Sequence, residues 1–202
     1  DTCKVCREWA KPGPQNMTNL EIADHFNSQV ECDLLFVDKA IIFHMICRCT
    51  RWHAGRIIPN KEEDTIIQAI NELWIGTHGP PKELYSDGES GLVLSEKTND
   101  FLRRHGVALR PRAKDQHARF IERRGALLRD VIHRIQSQLR EEGLAYPLHS
   151  VLAEAIFCGN AMLSVKNCTP YNAVYGRVPH LLPGIDQVAE PRGGPGRWPD
   201  SR

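Results

Sequence analysis

The 202-residue sequence lacks several features that would assign it to a simple class. No apolar run approaches the roughly 18–20 residues that span a bilayer, so we expect no membrane segment. The chain starts with Asp1 and has no basic-then-apolar leader. This favours a fragment from the middle of a longer protein over a secreted one. Seven cysteines, an odd number, argue against a disulfide scaffold and favour a reducing compartment.

The composition is globular, but the charge is unevenly distributed. Hydrophobic residues make up 41% and charged residues 25%, which excludes a wholly disordered chain, and the formal net charge is only +1. Residues 101–140 hold eleven Lys and Arg against three acids, a net charge of +8, whereas the rest carries −7. A concentrated basic segment is typical of a polyanion binder, and a solvated helical face is the alternative.

Apolar patterning along the chain predicts an α/β domain. Strands are predicted at 30–37, 40–50, 53–58, 83–86 and 107–110. Helices are predicted at 61–74, 92–104, from 120 to a stop at Gly143, 149–160 and 171–175. Thr169 and Pro170 form the expected start of the last helix. The order of elements predicts a mixed sheet, in which an antiparallel meander precedes helix-linked crossovers.

Three acidic residues stand where structure alone does not require them. Asp33 lies inside the most apolar strand, Asp87 ends a strand, and Glu122 lies near the start of the long basic helix. A buried carboxylate costs several kcal/mol unless it is paired, protonated or bound to a metal. Oxygen-only ligands favour Mg²⁺ or Mn²⁺ over zinc, and two such ions about 3.5–4 Å apart support phosphoryl transfer.

Each of these acids also has a purely structural interpretation. The first could face solvent from an edge strand, the second could form a turn, and the third could favour the helix dipole. Asp38 is an alternative to Asp33, and either Glu89 or Glu96 is an alternative to Glu122. Spacing alone leaves these choices open.

Several segments, in the same order, resemble the catalytic core of retroviral and retrotransposon integrases, with gypsy-type elements the most similar. The acids occur in VECDLLFV, GPPKELYSDGESGL and QHARFIER, with 53 residues between the first two acids and 34 between the last two. The stretch HMICRCTRWHAGRIIPNKEEDTI resembles the family's second and third strands, and TPYNAVYGRVPHLL resembles the segment after its core. The likeness covers about residues 28–183.

The resemblance implies an RNase H-like α/β fold with a mixed five-stranded sheet flanked by helices. It implies that Asp33, Asp87 and Glu122 form a catalytic triad that binds two Mg²⁺ or Mn²⁺ ions. The implied reaction is DNA 3′-end processing followed by strand transfer into target DNA, by a homo-oligomer acting in the nucleus. Arg119 replaces the small residue that the family usually has at this position. A catalytically decayed or domesticated core that serves as a DNA-binding or assembly module is therefore the alternative.

The resemblance also divides the chain into three parts. Residues 1–20 resemble the end of an upstream His-His-Cys-Cys zinc domain with its linker, 21–184 form the catalytic core, and 185–202 form a disordered Pro/Gly-rich tail. Cys3 and Cys6 would supply only half of the four zinc ligands, so zinc is expected only in the longer protein.

The basic segment supplies the residues that we expect to contact DNA. Arg119 and Arg129 share the helical face of Glu122, so they would border the metal site and hold phosphates. Arg124 and Arg134 are interpreted as residues for solubility or for a partner. Such contacts predict weak sequence preference and strong salt dependence. The expected DNA contacts are Lys114, His117, Arg119, Arg123 and Arg129.

The remaining cysteines and tryptophans are interpreted as structural. Cys47 and Cys49 lie near His44 and His53 in the sequence, but their apolar strand favours covered thiols over a metal site. The same interpretation applies to Cys32, Cys158 and Cys168, and Trp52 and Trp74 are assigned to the core or to an interface.

Overall fold

A computed structural model describes residues 23–87, 95–112, 119–164 and 167–180, without the side chains of Asp87, Arg112 and Arg119. Its strands are β1 (Gln29–Val37), β2 (Ala40–Cys47), β3 (His53–Ile58), β4 (Glu83–Asp87) and β5 (Ala108–Arg112). Its helices are α1 (Glu63–Ile70), α2 (Glu96–Arg104), α3 (Arg119–Glu141), α4 (Leu148–Met162) and α5 (Pro170–Tyr175). Residues 1–20 and 185–202, two of the predicted parts, lie outside the described residues.

The five strands form one mixed sheet in the order β3-β2-β1-β4-β5. β1, β2 and β3 are antiparallel neighbours, whereas β4 runs parallel to β1 and β5 runs parallel to β4. Asp38, with a positive φ of 52°, lies in the two-residue turn between β1 and β2. This arrangement confirms the predicted meander followed by helix-linked crossovers.

One face of the sheet is covered by α1 and α2. Phe43 and Met45 on this face are fully buried and belong to the same apolar cluster as Ile70, Trp74 and Leu102. Burial of Leu- or Phe-sized side chains contributes about 1.5–3 kcal/mol each, so this layer is a major source of stability.

The helix α1 is longer than predicted, because a π-helical turn extends it. After Ile70 the chain forms a π-helical turn at Asn71–Ile75 and a last helical turn at Gly76–His78. The Nε1–H of Trp74 in the π turn donates to Asn27 Oδ1 at 2.7 Å. The Asn27 amide in turn donates to the carbonyl of His78 at 3.1 Å, so the start of β1 caps the end of this helix.

The other face of the sheet is covered by α3 and α4. Leu35 and Ile42 pack there with Leu128 and Ile132 of α3 and with residues of α4. The apolar repeat of the α3 sequence predicts that Leu127 and Leu128 both lie on its buried face, and this is confirmed for Leu128 and wrong for Leu127, which is 39% exposed. The buried stripe also includes Ile121 and Arg124.

Other boundaries differ from the prediction by a few residues. β2 ends at Cys47 because a turn follows, in which Arg51 has a positive φ of 64°. The Ser95 side chain caps α2, which therefore begins at Glu96. The predicted start of α5 is confirmed, since Thr169 Oγ1 accepts the N–H of Asn172 at 3.2 Å. None of the helices within the described ranges is long and apolar enough to cross a membrane.

Candidate active site

Two of the predicted acids lie side by side along neighbouring parallel strands. β1 pairs with β4 up to Cys32 opposite Ser86, so the next step of the register aligns the backbones of Asp33 and Asp87. Neighbouring strands lie about 4.8 Å apart, and β4 ends at Asp87 while β1 continues. The fold therefore brings Asp33 and Asp87, which are 54 positions apart in the sequence, to neighbouring strands at the carboxyl end of β4.

Asp33 faces the layer formed by α3. Its neighbour Leu34 packs with the apolar cluster of α1 and α2, and successive side chains on a strand point to opposite faces. Asp33 is half-buried, and its Oδ1 accepts the N–H of Leu34 at 2.7 Å.

The third acid, Glu122, lies exposed in the first turn of α3. A side chain of β1 fixes the start of this helix, since the Ile121 N–H donates to Glu31 Oε2 at 3.0 Å. Glu31 precedes Asp33 by two residues and lies on the same face of β1. The first turn of α3 is thereby attached to the strand that carries Asp33.

A metal-binding cluster is not evident within the described part of the chain. No group of three or more His, Cys, Asp or Glu residues there is arranged to hold a metal ion. The side chain of Asp87 is not described, and neither are Cys3 and Cys6, the predicted half of a zinc site. The predicted metal ligands whose side chains are described, Asp33 and Glu122, are carboxylates, which suit a hard cation such as Mg²⁺.

A buried polar cluster lies beside Asp33 on the same face of the sheet. His44 is directly opposite Asp33 on β2, and its Nδ1 lies 3.1 Å from Nε2 of His53. Arg124 Nε donates to Nδ1 of His53 at 3.2 Å, and Arg124 Nη2 donates to Asn160 Oδ1 at 3.2 Å. We name these residues the His–Arg cluster: His44, His53, Arg124 and Asn160.

The donor in each hydrogen bond of this cluster determines which nitrogen carries a proton. Because Arg124 donates to Nδ1 of His53, the proton of His53 is on Nε2 and is donated to Nδ1 of His44. Burial, together with Arg124 and Arg129, lowers the pKa of His44 to about 3. Burial and the neighbouring His44 lower the pKa of His53 well below its ordinary value. Both imidazoles are therefore neutral at physiological pH.

Arg124 corrects the sequence-based interpretation of this residue as a surface group. It is only 6% exposed, and burial lowers its pKa to about 10, so it remains charged at neutral pH. Its position between Ile121 and Leu128 on the helical repeat is the signal that could have identified it. Arg134 forms an i,i+4 ion pair with Asp130 at 3.6 Å.

The residues expected to contact DNA lie along α3 and before it. Arg123 and Arg129 are exposed on α3. Arg119 is the first residue of α3, but its side chain is not described, and Lys114 and His117 lie outside the described residues. The structure thus leaves two cationic side chains of the predicted set accessible on the helix that carries Glu122.

The cysteines and tryptophans have the structural roles that were expected. Cys32 and Cys47 are buried thiols, and Cys49, Cys158 and Cys168 are partly buried thiols. Trp74 is fully buried in the apolar cluster of α1 and α2. Trp52 is partly buried and packs edge-to-face against Tyr175 of α5, with the ring centroids 5.3 Å apart.

Comparison with known proteins identifies the fold. No family model and no curated protein sequence matches the chain. Among solved structures, the catalytic core domain of BIV integrase matches with a TM-score of 0.62 and 16% identity, over 72% of this chain and 92% of that one. A chain of the simian T-cell lymphotropic virus intasome in complex with PP2A regulatory subunit B56 gamma matches with a TM-score of 0.68 and 13% identity. That match covers 100% of this chain and 69% of the other. The chain has the RNase H-like fold of retroviral integrase cores.

Proposed function

We propose that this chain is an integrase-type polynucleotidyl transferase that processes DNA 3′ ends and joins them to target DNA. The observation that carries the proposal is the register of β1 and β4, which pairs Cys32 with Ser86, the residues just before Asp33 and Asp87, in a fold shared with retroviral integrase cores. The attachment of α3 to β1 through Glu31 supports Glu122 as the third acid of the site. The basic face of α3 supports DNA as the substrate.

In this proposal Asp33, Asp87 and Glu122 hold two Mg²⁺ or Mn²⁺ ions. Bound at such a site, the ions activate the attacking oxygen and stabilise the leaving one. The protein positions the reacting phosphate, because Arg123 and Arg129 on α3 bind the DNA backbone. Phosphate contacts of this kind orient the duplex without reading its sequence. We further propose, from the resemblance to integrases, that the core acts as a homo-oligomer in the nucleus.

The test is the loss of metal-dependent DNA cleavage and joining in three variants. Asp33→Asn, Asp87→Asn and Glu122→Gln should each reduce nicking and joining of a labelled duplex with Mg²⁺ or Mn²⁺ to background. Each variant should still bind DNA. The matched controls are Asp38→Asn and Glu96→Gln, which change the alternative acids and should retain activity. Asn is well tolerated at the positive φ of residue 38.

The outcomes distinguish the proposal from its rivals. If the wild-type chain binds DNA but neither cuts nor joins it, the chain is a DNA-binding module descended from an integrase. Arg119, at the first position of α3, is the feature that favours this second function. If RNA in a hybrid is cut preferentially, the chain is instead a ribonuclease of the same fold.

A further inference from the structure

The turn between β2 and β3 brings two arginines onto one aromatic ring at the start of α3. The guanidinium carbon of Arg51 lies 3.4 Å from the ring centroid of Phe120, and that of Arg48 lies 5.5 Å from the same centroid. Arg48 also lies over the ring of Tyr85 on β4, at 4.9 Å. A cation above an aromatic face is held by about 0.5–2 kcal/mol. Arg48 and Arg51 thereby link the β2–β3 turn to the first turn of α3.

The two arginines differ in their charge balance. Arg48 pairs with Glu31, with 3.2 Å between Nε and Oε1, and donates to Gln29 Oε1 at 3.1 Å. Within the described part of the chain, Arg51 forms no ion pair, and its buried Nη1 has no hydrogen-bond partner. The carboxylate of Glu31 is already engaged by Arg48 and by the N–H of Ile121. Among the described residues, Glu31 therefore pairs with Arg48 and raises the pKa of Arg51 from a longer distance, but it forms no ion pair with Arg51.

Arg51 has a backbone conformation that residues other than glycine rarely adopt. Its φ of 64° lies in the left-handed region, which is sterically disfavoured for a residue with a Cβ. The turn is closed by its backbone N–H, which donates to the carbonyl of Cys47 at 3.0 Å. Burial lowers the pKa of Arg51 to about 10, against the opposite effect of Glu31, so the guanidinium stays charged at neutral pH. The buried Nη1 can donate a charge-assisted hydrogen bond to an anion such as a phosphate.

The guanidinium of Arg51 lies close to the proposed catalytic acids. Phe120, the ring beneath Arg51, precedes Glu122 by two residues in the first turn of α3. Glu31, which holds that turn, is two residues from Asp33, about 7 Å along the strand. The positive end of the α3 dipole lies at the same place and also favours an anion.

We propose that Arg51 binds a backbone phosphate of the DNA that occupies the acidic site. This inference rests on the proposed function, because it takes DNA to be the substrate. It adds a contact from the β2–β3 turn to those proposed for Arg123 and Arg129 on α3. Arg48 acts as a positioning residue, since it supports Phe120 while Glu31 neutralises its charge.

The test compares the salt dependence of DNA binding in three variants of the full chain. Arg51→Gly removes the guanidinium and relieves the strain at positive φ, so the fold should be retained. Arg51→Lys keeps the charge but not the planar stack. Arg103→Ala, an exposed arginine on α2 on the other face of the sheet, is the charge-matched control. Affinity for a labelled duplex is measured by fluorescence anisotropy from 50 to 300 mM NaCl.

For Arg51→Gly we expect the slope of log K against log[salt] to become shallower by about 0.9, the value for one lost phosphate contact. Arg51→Lys should retain most of the slope, and Arg103→Ala all of it. If Arg51→Gly binds with the wild-type slope, the inference is overturned while the proposed function stands. If the wild-type chain shows no salt-dependent DNA binding, both the inference and the proposed function fail.

Discussion

The two faces of the sheet are buried by different chemistry. Towards α1 and α2 the packing is almost wholly apolar, with Phe43, Trp74 and Leu102 at its centre. Towards α3 and α4 an apolar half around Leu35 adjoins a polar half that contains Asp33 and the His–Arg cluster. The stability of the apolar layer depends on the shape and volume of its side chains. The stability of the polar layer depends on a hydrogen-bond partner for each buried polar group. Stability is therefore concentrated on one face, and the proposed chemistry on the other.

The largest expected effect lies in the apolar layer. Trp74→Ala should lower the free energy of unfolding by about 3–5 kcal/mol, because it leaves a cavity and removes the bond to Asn27. Trp74→Phe keeps most of the side-chain volume and should lower the free energy of unfolding by less. Urea denaturation at pH 7 measures both. A loss below 1 kcal/mol for Trp74→Ala would show that this layer does not carry the stability assigned to it.

The polar layer should make the protein sensitive to acid. The folded-state pKa of His44 is about 3 and that of His53 is also lowered, whereas the unfolded value is near 6.5. The contribution of these two histidines to the free energy of unfolding is therefore complete above pH 6.5 and is lost as the pH falls below this value. Two such groups should reduce the unfolding free energy by roughly 3–4 kcal/mol between pH 7 and pH 5.

Chemical denaturation between pH 7 and pH 5 measures how steeply the free energy of unfolding falls with pH. His44→Gln removes one of the two titrating groups, so its profile should be about half as steep. An equal slope in the variant would assign the acid sensitivity to groups outside the His–Arg cluster.

A smaller effect is expected where α4 approaches the His–Arg cluster. A Cβ at Gly159 would lie 2.6 Å from Nη2 of Arg124, which hydrogen bonds to Asn160 hold in place. Gly159→Ala should therefore cost about 1–3 kcal/mol, although Gly→Ala in a helix is ordinarily stabilising. In an Arg124→Met background the same change should cost much less. A double-mutant cycle measures this coupling, and simple additivity would disprove it.

The smallest effect is expected at the cap of α2. The Thr98 N–H donates to Ser95 Oγ at 3.1 Å. Ser95 is buried. Ser95→Ala should cost about 1 kcal/mol of unfolding free energy and leave DNA cleavage unchanged. Ser95→Thr retains the acceptor and should be close to wild type. A loss of cleavage in a folded Ser95→Ala variant would mean that the apolar face also serves the proposed chemistry.

Most of the fold could be predicted because its signals are local. Apolar runs identified the strands, and Thr169 with Pro170 identified the start of α5. The π-helical turn after Ile70 was missed; its Trp74 donates a hydrogen bond to Asn27, which lies 47 residues away in the sequence. Tertiary contacts of this kind leave no periodic pattern in the sequence.

The candidate site was predictable only in part. An aspartate inside an apolar strand is unusual enough to attract notice, and the structure places it one residue beyond the last paired residues of β1 and β4, Cys32 and Ser86. Arg51 and Arg124 were missed as structural cations, because charge alone suggests a solvated residue. Their burial follows from neighbours on other elements, Phe120 for Arg51 and His53 for Arg124.

The side-chain amide of Asn160 has a consequence for the sheet's open edge. It accepts the N–H of His53 at 2.9 Å and donates to the carbonyl of His53 at 2.7 Å, so it serves both backbone groups of one residue of β3. β3 is one of the two outermost strands of the sheet, where such groups would otherwise be a template for another chain. The amide takes the place that a residue of a sixth strand would occupy. At His53, the helix α4 therefore occupies the backbone groups that an added strand would need.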